Sequence, residues 1–293
     1  MTVLVHGASG VVGHAVVRAL LALDEVRATV RRPEAAEPLR AMGAKVSIRE
    51  LDRADALAEV LPRCHTLVHL VGGPNQPNAD ALFRANHGSV LAAIEAAREA
   101  QVRRIIAVSI PGADPEATHP FLRAKGLAEE AIEASGLDHV IVRATHVYGL
   151  GGLWFTAAVQ GALSTPPFVA GPGDQEIAPL LADDLGAVVA AIDDHAGELG
   201  GTWGLEGPDV RSADGFCAQL RDDAATPSHA DGQAAAAALT RLLGIGVDAV
   251  AATYLASASR ADAPDAAAAF GVPLTPLTDG LRRTLEAAAT THG

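Results

Sequence analysis

Lysine is almost absent from this chain: only Lys45 and Lys125 occur among 293 residues, against 20 arginines. Tyrosine is limited to Tyr148 and Tyr254, and aromatic residues make up 3% of the sequence, so the core has to be built from Val, Leu, Ile and Ala. Cysteine is nearly missing too. Cys64 and Cys217 lie far apart and match no zinc or redox spacing, which excludes a metal site on those ligands and a disulfide scaffold. Positive charge is short: 22 Lys+Arg against 35 Asp+Glu gives 22 − 35 = −13. Nucleic acid and anionic membranes both need a basic face, so neither is expected as a partner. No run approaches the roughly 18 unbroken apolar residues of a membrane span. No basic, apolar and cleavage-site segments open the chain, and a cytoplasmic location is the expectation.

What is abundant is alanine, about a fifth of the chain by the usual measure of composition. Alanine together with arginine in place of lysine is the codon signature of a GC-rich genome. Hydrophobic residues at 49% and charged residues at 19% exclude disorder and leave a globular protein.

Short β-rich runs occur at 2–5, 27–30, 45–48, 66–70, 104–109 and 139–143. Between them lie alanine-rich stretches with helical spacing at 11–21, 54–61, 89–100 and 122–134. That alternation predicts βαβ units and a doubly wound parallel sheet of Rossmann type. The runs are nearly continuous in apolar character, as strands covered on both faces require. After Gly149 the rhythm changes. Residues 150–175 carry five glycines and three prolines around Trp154, Phe155 and Phe168. A strand at 178–181 and a helix at 183–192 are expected to return to the sheet, and an exposed loop is expected at 222–232. This divides the chain into a Rossmann domain at 1–149, its sheet completed by about 176–205. A smaller, mostly helical substrate cap takes up 150–175 and 206–293.

The most informative motif is VLVHGASGVVG at 3–13. Gly7, Gly10 and Gly13 stand between the first strand and the first helix. In a dinucleotide site the first glycine turns the chain, the second lets backbone approach a pyrophosphate, and the third lets helix pack on sheet. Amides around Ser9, Gly10, Val11 and Val12 would face the phosphates. The residue that selects the dinucleotide sits at the tip of the second strand. Here that tip reads Arg31-Arg32-Pro33, with no carboxylate before Glu34. Two guanidiniums suit a ribose 2′-phosphate, so NADP(H) is the expected cofactor. A metal site is not expected.

These residues, with several further segments, make the chain resemble the short-chain dehydrogenase/reductase superfamily, in its atypical, NmrA-like branch. VLVHGASGVVG is similar to the family's opening loop, although His6 stands where a threonine is usual. VRRPE at 30–34 resembles the second-strand tip, and Glu50-Leu51 sits where an Asp-Leu pair lies against adenine. LVHLVGG at 67–73 resembles the fourth strand, which places Val71 and Gly72 at the cofactor and Gly73 toward substrate. IIAVSIPGA at 105–113 resembles the fifth strand, and FLRAKGLAEEAIEASGLDHVIVRATHVYG at 121–149 is the most specific stretch. LLADDLGAVVAAI at 180–192 and FGVPLTPLTDGL at 270–281 extend the likeness.

The resemblance implies a serine that polarises the carbonyl, a tyrosine that donates a proton, and a lysine that holds the nicotinamide ribose. Ser109 and Lys125 match the serine and the lysine. The tyrosine position is Phe121. A ketone that accepts hydride becomes an alkoxide needing a proton, and phenylalanine has none to give. His119, His146 and Tyr148 are the side chains considered as replacements, and His146 is also expected near the cofactor. Otherwise the substrate or water supplies the proton.

The expected substrate pocket is Gly73, Ser109, Phe121, Tyr148, Trp154 and Phe155, an apolar site for a flat hydrophobic ketone. The family likeness points to a tailoring ketoreductase acting on aromatic polyketides of angucycline type, as in antibiotic biosynthesis. The competing expectations are an NADP-binding redox sensor without turnover, and an epimerase or isomerase on the same scaffold. The oligomeric state stays open.

Overall fold

The computed structural model describes residues 1–197, 200–221 and 223–291. Asp222, the first residue of the loop expected at 222–232, and residues 292–293 of the expected cap lie outside the described residues. Six strands alternate with helices in the first half: β1 (Thr2–His6), β2 (Glu25–Val30), β3 (Lys45–Ile48), β4 (Thr66–His69), β5 (Arg104–Ser109) and β6 (Asp138–Ala144). With a seventh strand, Thr202–Leu205, they form one parallel sheet in the order Thr202–Leu205, β6, β5, β4, β1, β2, β3. The chain runs outward from β1 to β3, then crosses back to place β4 on the other side of β1. That reversal opens a crevice at the C-terminal ends of β1 and β4, where sheets of this kind bind ligands.

Side chains on successive strand residues face opposite layers. Val3, Val5, Val68, Val140 and Val142 pack against α1 (Val11–Leu21) and the helix Ala182–Asp194. Leu4, Leu67, Ile105 and Ile141 pack against the helices Ser89–Glu99 and Pro120–Glu133. Burying both faces explains why the strands read as continuous apolar runs. The helix expected from residue 122 starts at Pro120, where a proline costs no hydrogen bond because the first amides of a helix are unpaired anyway. The helix expected over 54–61 ends at Ala58.

One expected strand lies elsewhere. Leu180–Leu181 pairs with Val147–Tyr148 in a separate two-stranded ladder and does not return to the main sheet. The edge place beside β6 goes to Thr202–Leu205 instead. The residues 178–181 offer only a short apolar run, too little to show which neighbour it pairs with.

Beyond the sheet, the helices Leu153–Leu163, Gly232–Leu243 and Ala249–Leu255 share a small core built on Ala235, Leu239, Ala251 and Leu255. A strap at 257–264 ties this layer down. Ser259 Oγ accepts from the His146 amide at 2.9 Å, and the Gly204 amide donates to the Pro264 carbonyl at 2.8 Å. Asp262 accepts from the Gly112 amide at 2.7 Å and from Arg143 at 3.0 Å. Among the described residues, no helix is long and apolar enough to cross a membrane.

At the N-terminal end of β5, inside the sheet, the Arg104 side chain is buried. It donates to Asp138 at 2.9 Å and to the Ile192 carbonyl at 2.8 Å, and it also reaches the Gly197 carbonyl. Removing one member of a buried, hydrogen-bonded ion pair costs about 3–5 kcal/mol. Arg104→Met should lower the unfolding free energy by about 3 kcal/mol in a denaturant melt.

Candidate cofactor and substrate site

The loop after β1 is built by steric necessity. Gly7 has φ +86, and a Cβ there would lie 2.7 Å from the Val71 side chain on the neighbouring strand end. A Cβ on Gly13 would sit 2.3 Å from the Ala8 carbonyl oxygen, so only glycine lets α1 close onto its own loop. Gly10 is different: a Cβ there meets nothing within 4 Å. Gly10 caps α1 with extended backbone and no side-chain hydrogen bond, and among the described residues the amides of Val11, Val12 and Gly13 have no acceptor. Those features fit a pyrophosphate at the positive end of the helix. Ser9, Gly10 and Val11 line a groove there.

Beside the tip of β2, a cleft of about 480 Å³ is lined by Arg31, Glu50, Leu51, Val71 and Arg84. Arg31 makes no ion pair among the described residues and is exposed. Arg32 lies outside this cleft and pairs with Glu34 at 3.5 Å, both side chains about two-thirds exposed. Of the two arginines, Arg31 lines this cleft and Arg32 does not. Arg84 joins Arg31 from a distant part of the sequence, which no local motif could reveal.

His6 explains its own departure from the family pattern. Its Nε2 lies 2.9 Å from the Leu51 carbonyl and its Nδ1 lies 2.8 Å from Thr29 Oγ1. A carbonyl can only accept, so the proton sits on Nε2 and Thr29 donates to Nδ1. The ring thus fixes the loop that carries Leu51. Burial lowers the His6 pKa to about 4, and the ring is neutral at pH 7.

A second cleft, of about 280 Å³, opens at the ends of β4 and β5 and is bounded by Val11, Val12, Val71, Gly72, Gly73, Ser109, Phe121, Lys125, His146, Trp154 and Tyr254. Lys125 donates to the Val108 carbonyl at 2.9 Å, and burial lowers its pKa to about 8. Ser109 Oγ is buried at the end of β5 with no hydrogen-bond partner among the described residues. A buried hydroxyl left unpaired in a cleft is what a bound carbonyl oxygen would satisfy. His146 stacks on Trp154 with centroids 4.9 Å apart and an interplanar angle of 17°. Its Nε2 lies 3.3 Å from the Ser257 carbonyl, and burial lowers its pKa to about 4. The structure brings Ser109, Phe121, Lys125, Gly73 and Trp154 together as the sequence predicts.

It does not bring Tyr148 or Phe155 there. Tyr148 is fully buried, and its phenol packs against Gly280, where a Cβ would lie 1.9 Å from the hydroxyl. Burial raises the Tyr148 pKa strongly. Phe155 is 3% exposed and belongs to the same apolar cluster. Both were expected in the pocket because they follow the sixth strand closely. Tyr148 pairs with Leu181 in the short ladder, Phe155 follows Trp154 on the helix Leu153–Leu163, and both side chains pack with Phe216, Leu277 and Leu281. His119 is also committed elsewhere, with Nε2 3.1 Å from the Val250 carbonyl.

Besides Arg84, sequence reasoning misses two residues. Asn86 is fully buried and clasps the loop after β4, accepting from the Gly73 amide at 2.8 Å and donating to the Gly73 carbonyl at 3.1 Å. Gly72 has φ +138, and a Cβ there would lie 2.4 Å from Asn86 Oδ1. The other is Tyr254, which enters the cleft from the helix Ala249–Leu255.

An NAD(P)H-binding family profile matches residues 7–149. A stretch of 151 residues, 49% of this chain, is 30% identical to 71% of an uncharacterized sugar epimerase, YhfK, of Bacillus subtilis. The chain belongs to the atypical short-chain dehydrogenase/reductase superfamily. This short-chain dehydrogenase/reductase is also 29% identical over 57% of its length to 57% of a 4-hydroxy-2-methyl-3-oxo-4-farnesyl-3,4-dihydroquinoline-1-oxide ketoreductase of Stigmatella aurantiaca. It spans about half the length of the curated relatives it matches first, between 36% and 57%. In fold it is similar to a UDP-glucuronic acid 4-epimerase from Bacillus cereus solved with UDP-glucuronic acid and NAD. The TM-score is 0.77 at 17% identity, over 98% of each chain.

The buried imidazoles give this short-chain dehydrogenase/reductase an acid limit. His6 and His146 have folded pKa values of about 4 against 6.5 for the free group. Between those values the unfolded chain binds protons that the folded one refuses. Stability is therefore complete above pH 6.5 and is lost as the pH falls toward 4, by about 3 kcal/mol for each ring. Urea melts across that window should show the decline, and His6→Thr should remove one ring's share of the slope.

Proposed function

We propose that this protein is an NADPH-dependent ketoreductase acting on a hydrophobic, polycyclic aromatic ketone, of the kind tailored in aromatic polyketide and antibiotic biosynthesis, in the cytoplasm. The observation that carries the reading is the unpaired, buried Ser109 hydroxyl beside buried Lys125 in an apolar cleft. A regulatory binder has no use for a polarising hydroxyl held dry at that place. NADPH bound across the sheet edge would supply a hydride to the substrate carbonyl carbon. Gly7, Gly10, Gly13, Ser9, Val11 and Val12 would hold its pyrophosphate. Leu51, Val71 and Gly72 would flank the adenosine, and Lys125 the nicotinamide ribose, with His146 a wall of the nicotinamide pocket.

Arg31 supports the choice of NADPH, because an arginine without a protein partner is free to make planar, charge-assisted contacts to a 2′-phosphate. Arg84, lining the same cleft, adds a second positive charge. Trp154, stacked with the neutral His146 ring, offers a flat apolar wall to a fused-ring substrate. Ser109 would donate a hydrogen bond to the carbonyl oxygen as negative charge develops on it.

The test is NADPH and NADH consumption measured with a panel of polycyclic ketones and quinones. NADPH should be consumed in a 1:1 ratio with alcohol product (roughly stoichiometric hydride use,), and Arg31→Ala should raise KM for NADPH about tenfold while leaving NADH unaffected. Binding of NADPH without consumption would favour a redox sensor, and interconversion of epimers without net consumption would favour an epimerase.

A further inference from the structure

The cleft holds one phenol that its motif does not provide. Tyr254 comes from the helix Ala249–Leu255, more than a hundred residues after Phe121 in the sequence. Its ring meets the Phe121 ring edge-on, with centroids 4.8 Å apart and an interplanar angle of 81°. It meets His146 in the same way at 5.3 Å and 84°. Tyr254 thus lines the same cleft as Ser109 and Lys125 and stands directly against the side chain that lacks a hydroxyl.

Its backbone is fixed on two sides. His119, which precedes the Phe121 helix, reaches the Val250 carbonyl of the Tyr254 helix at 3.1 Å. On the other side the Ser257 carbonyl meets His146, and Ser259 holds the His146 amide. The ring is therefore positioned by contacts on both flanks, and a positioned donor loses little entropy at the moment of reaction. The other candidates are placed less well. Tyr148 packs under Gly280 and does not line the cleft, His119 turns its Nε2 to the Val250 carbonyl outside the cleft, and His146 is neutral and meets the Ser257 carbonyl.

We propose that Tyr254 is the catalytic proton donor for carbonyl reduction, supplied across the cleft to the place where Phe121 has no hydroxyl. This deepens the reductase reading above and rests on it. The balance is simple. The carbonyl carbon takes the hydride and its electron pair from the reduced nicotinamide, the C=O π bond breaks, and the oxygen forms a bond to the Tyr254 proton. The phenolate then recovers a proton from solvent. Burial raises the Tyr254 pKa, so the group holds its proton at neutral pH until the alkoxide forms. Because the donor sits on the cap side of the cleft, chemistry depends on that layer being in place as well as on the Rossmann half.

Tyr254→Phe, which keeps the ring and its contact with Phe121, tests the assignment in the NADPH-loaded protein. Turnover of a polycyclic ketone should fall about 10²–10⁴-fold, the range for loss of a general acid, with NADPH affinity unchanged. A second readout needs no turnover. In the dead-end complex with NADP⁺ and ketone, the infrared stretch of the bound carbonyl should rise in frequency in Tyr254→Phe, because a hydrogen bond to its oxygen is lost. Moving the phenol back, as Phe121→Tyr combined with Tyr254→Phe, should restore part of the turnover. Tyr148→Phe should change neither rate nor frequency. If Tyr254→Phe retains the native rate and carbonyl frequency while the native protein turns over, the assignment falls and substrate or water supplies the proton. If the native protein binds NADPH but consumes none with any ketone, the reductase reading fails, and this assignment with it.

Discussion

The structure depends on one tight contact, where the turn after β1 passes the end of β4. Gly7 lies against Val71, and Gly13 lies against the Ala8 carbonyl, at distances that no side chain allows. These two approaches bring α1 down onto the sheet and point its unpaired amides into the crevice opened by the strand reversal. The cleft beside Arg31 and the cleft beside Ser109 both include Val71 in their walls. A bulkier turn would push α1 outward and separate the two halves of the site.

The second organising principle is burial of polar groups that are partnered through carbonyls. Lys125 is held by Val108, His6 by Leu51, His146 by Ser257, and Asn86 by Gly73. Each bond fixes a loop that faces the clefts, and burial, working against those bonds, lowers the pKa of His6, His146 and Lys125. Ser109 differs from them in that its buried hydroxyl has no hydrogen-bond partner among the described residues and lies in the lining of the second cleft. A buried polar group left unpaired in a cleft is one that a bound ligand can satisfy.

The Rossmann half was legible because its signals are local. The glycines sit within seven residues of one another, and each strand is a short apolar run followed by a helical one. Lys125 stood out against a chain nearly without lysine. The failures have a common physical cause as well. Tyr148 and Phe155 are close to the sixth strand in sequence, but both pack into an apolar cluster with Leu277 and Leu281 from the far end of the chain, a long-range contact that composition does not encode. Arg32 stands beside Arg31 yet finds Glu34. Asn86 and Tyr254 reach the site from distant segments through tertiary packing, so no spacing could have announced them. The strand at 178–181 paired outside the sheet because two apolar residues do not choose a neighbour.

The central claim is that a dinucleotide pyrophosphate lies over Gly10, on the unspent amides of α1. Gly10→Asp isolates that claim, because its backbone is extended and an added Cβ meets nothing within 4 Å, so the fold has no reason to change. The carboxylate would place negative charge where the phosphates belong. Calorimetric titration with NADPH should show affinity falling by about 100-fold or more, equivalent to about 2.7 kcal/mol, while the melting temperature stays that of the native chain. Unchanged NADPH affinity in a folded Gly10→Asp variant would contradict the account.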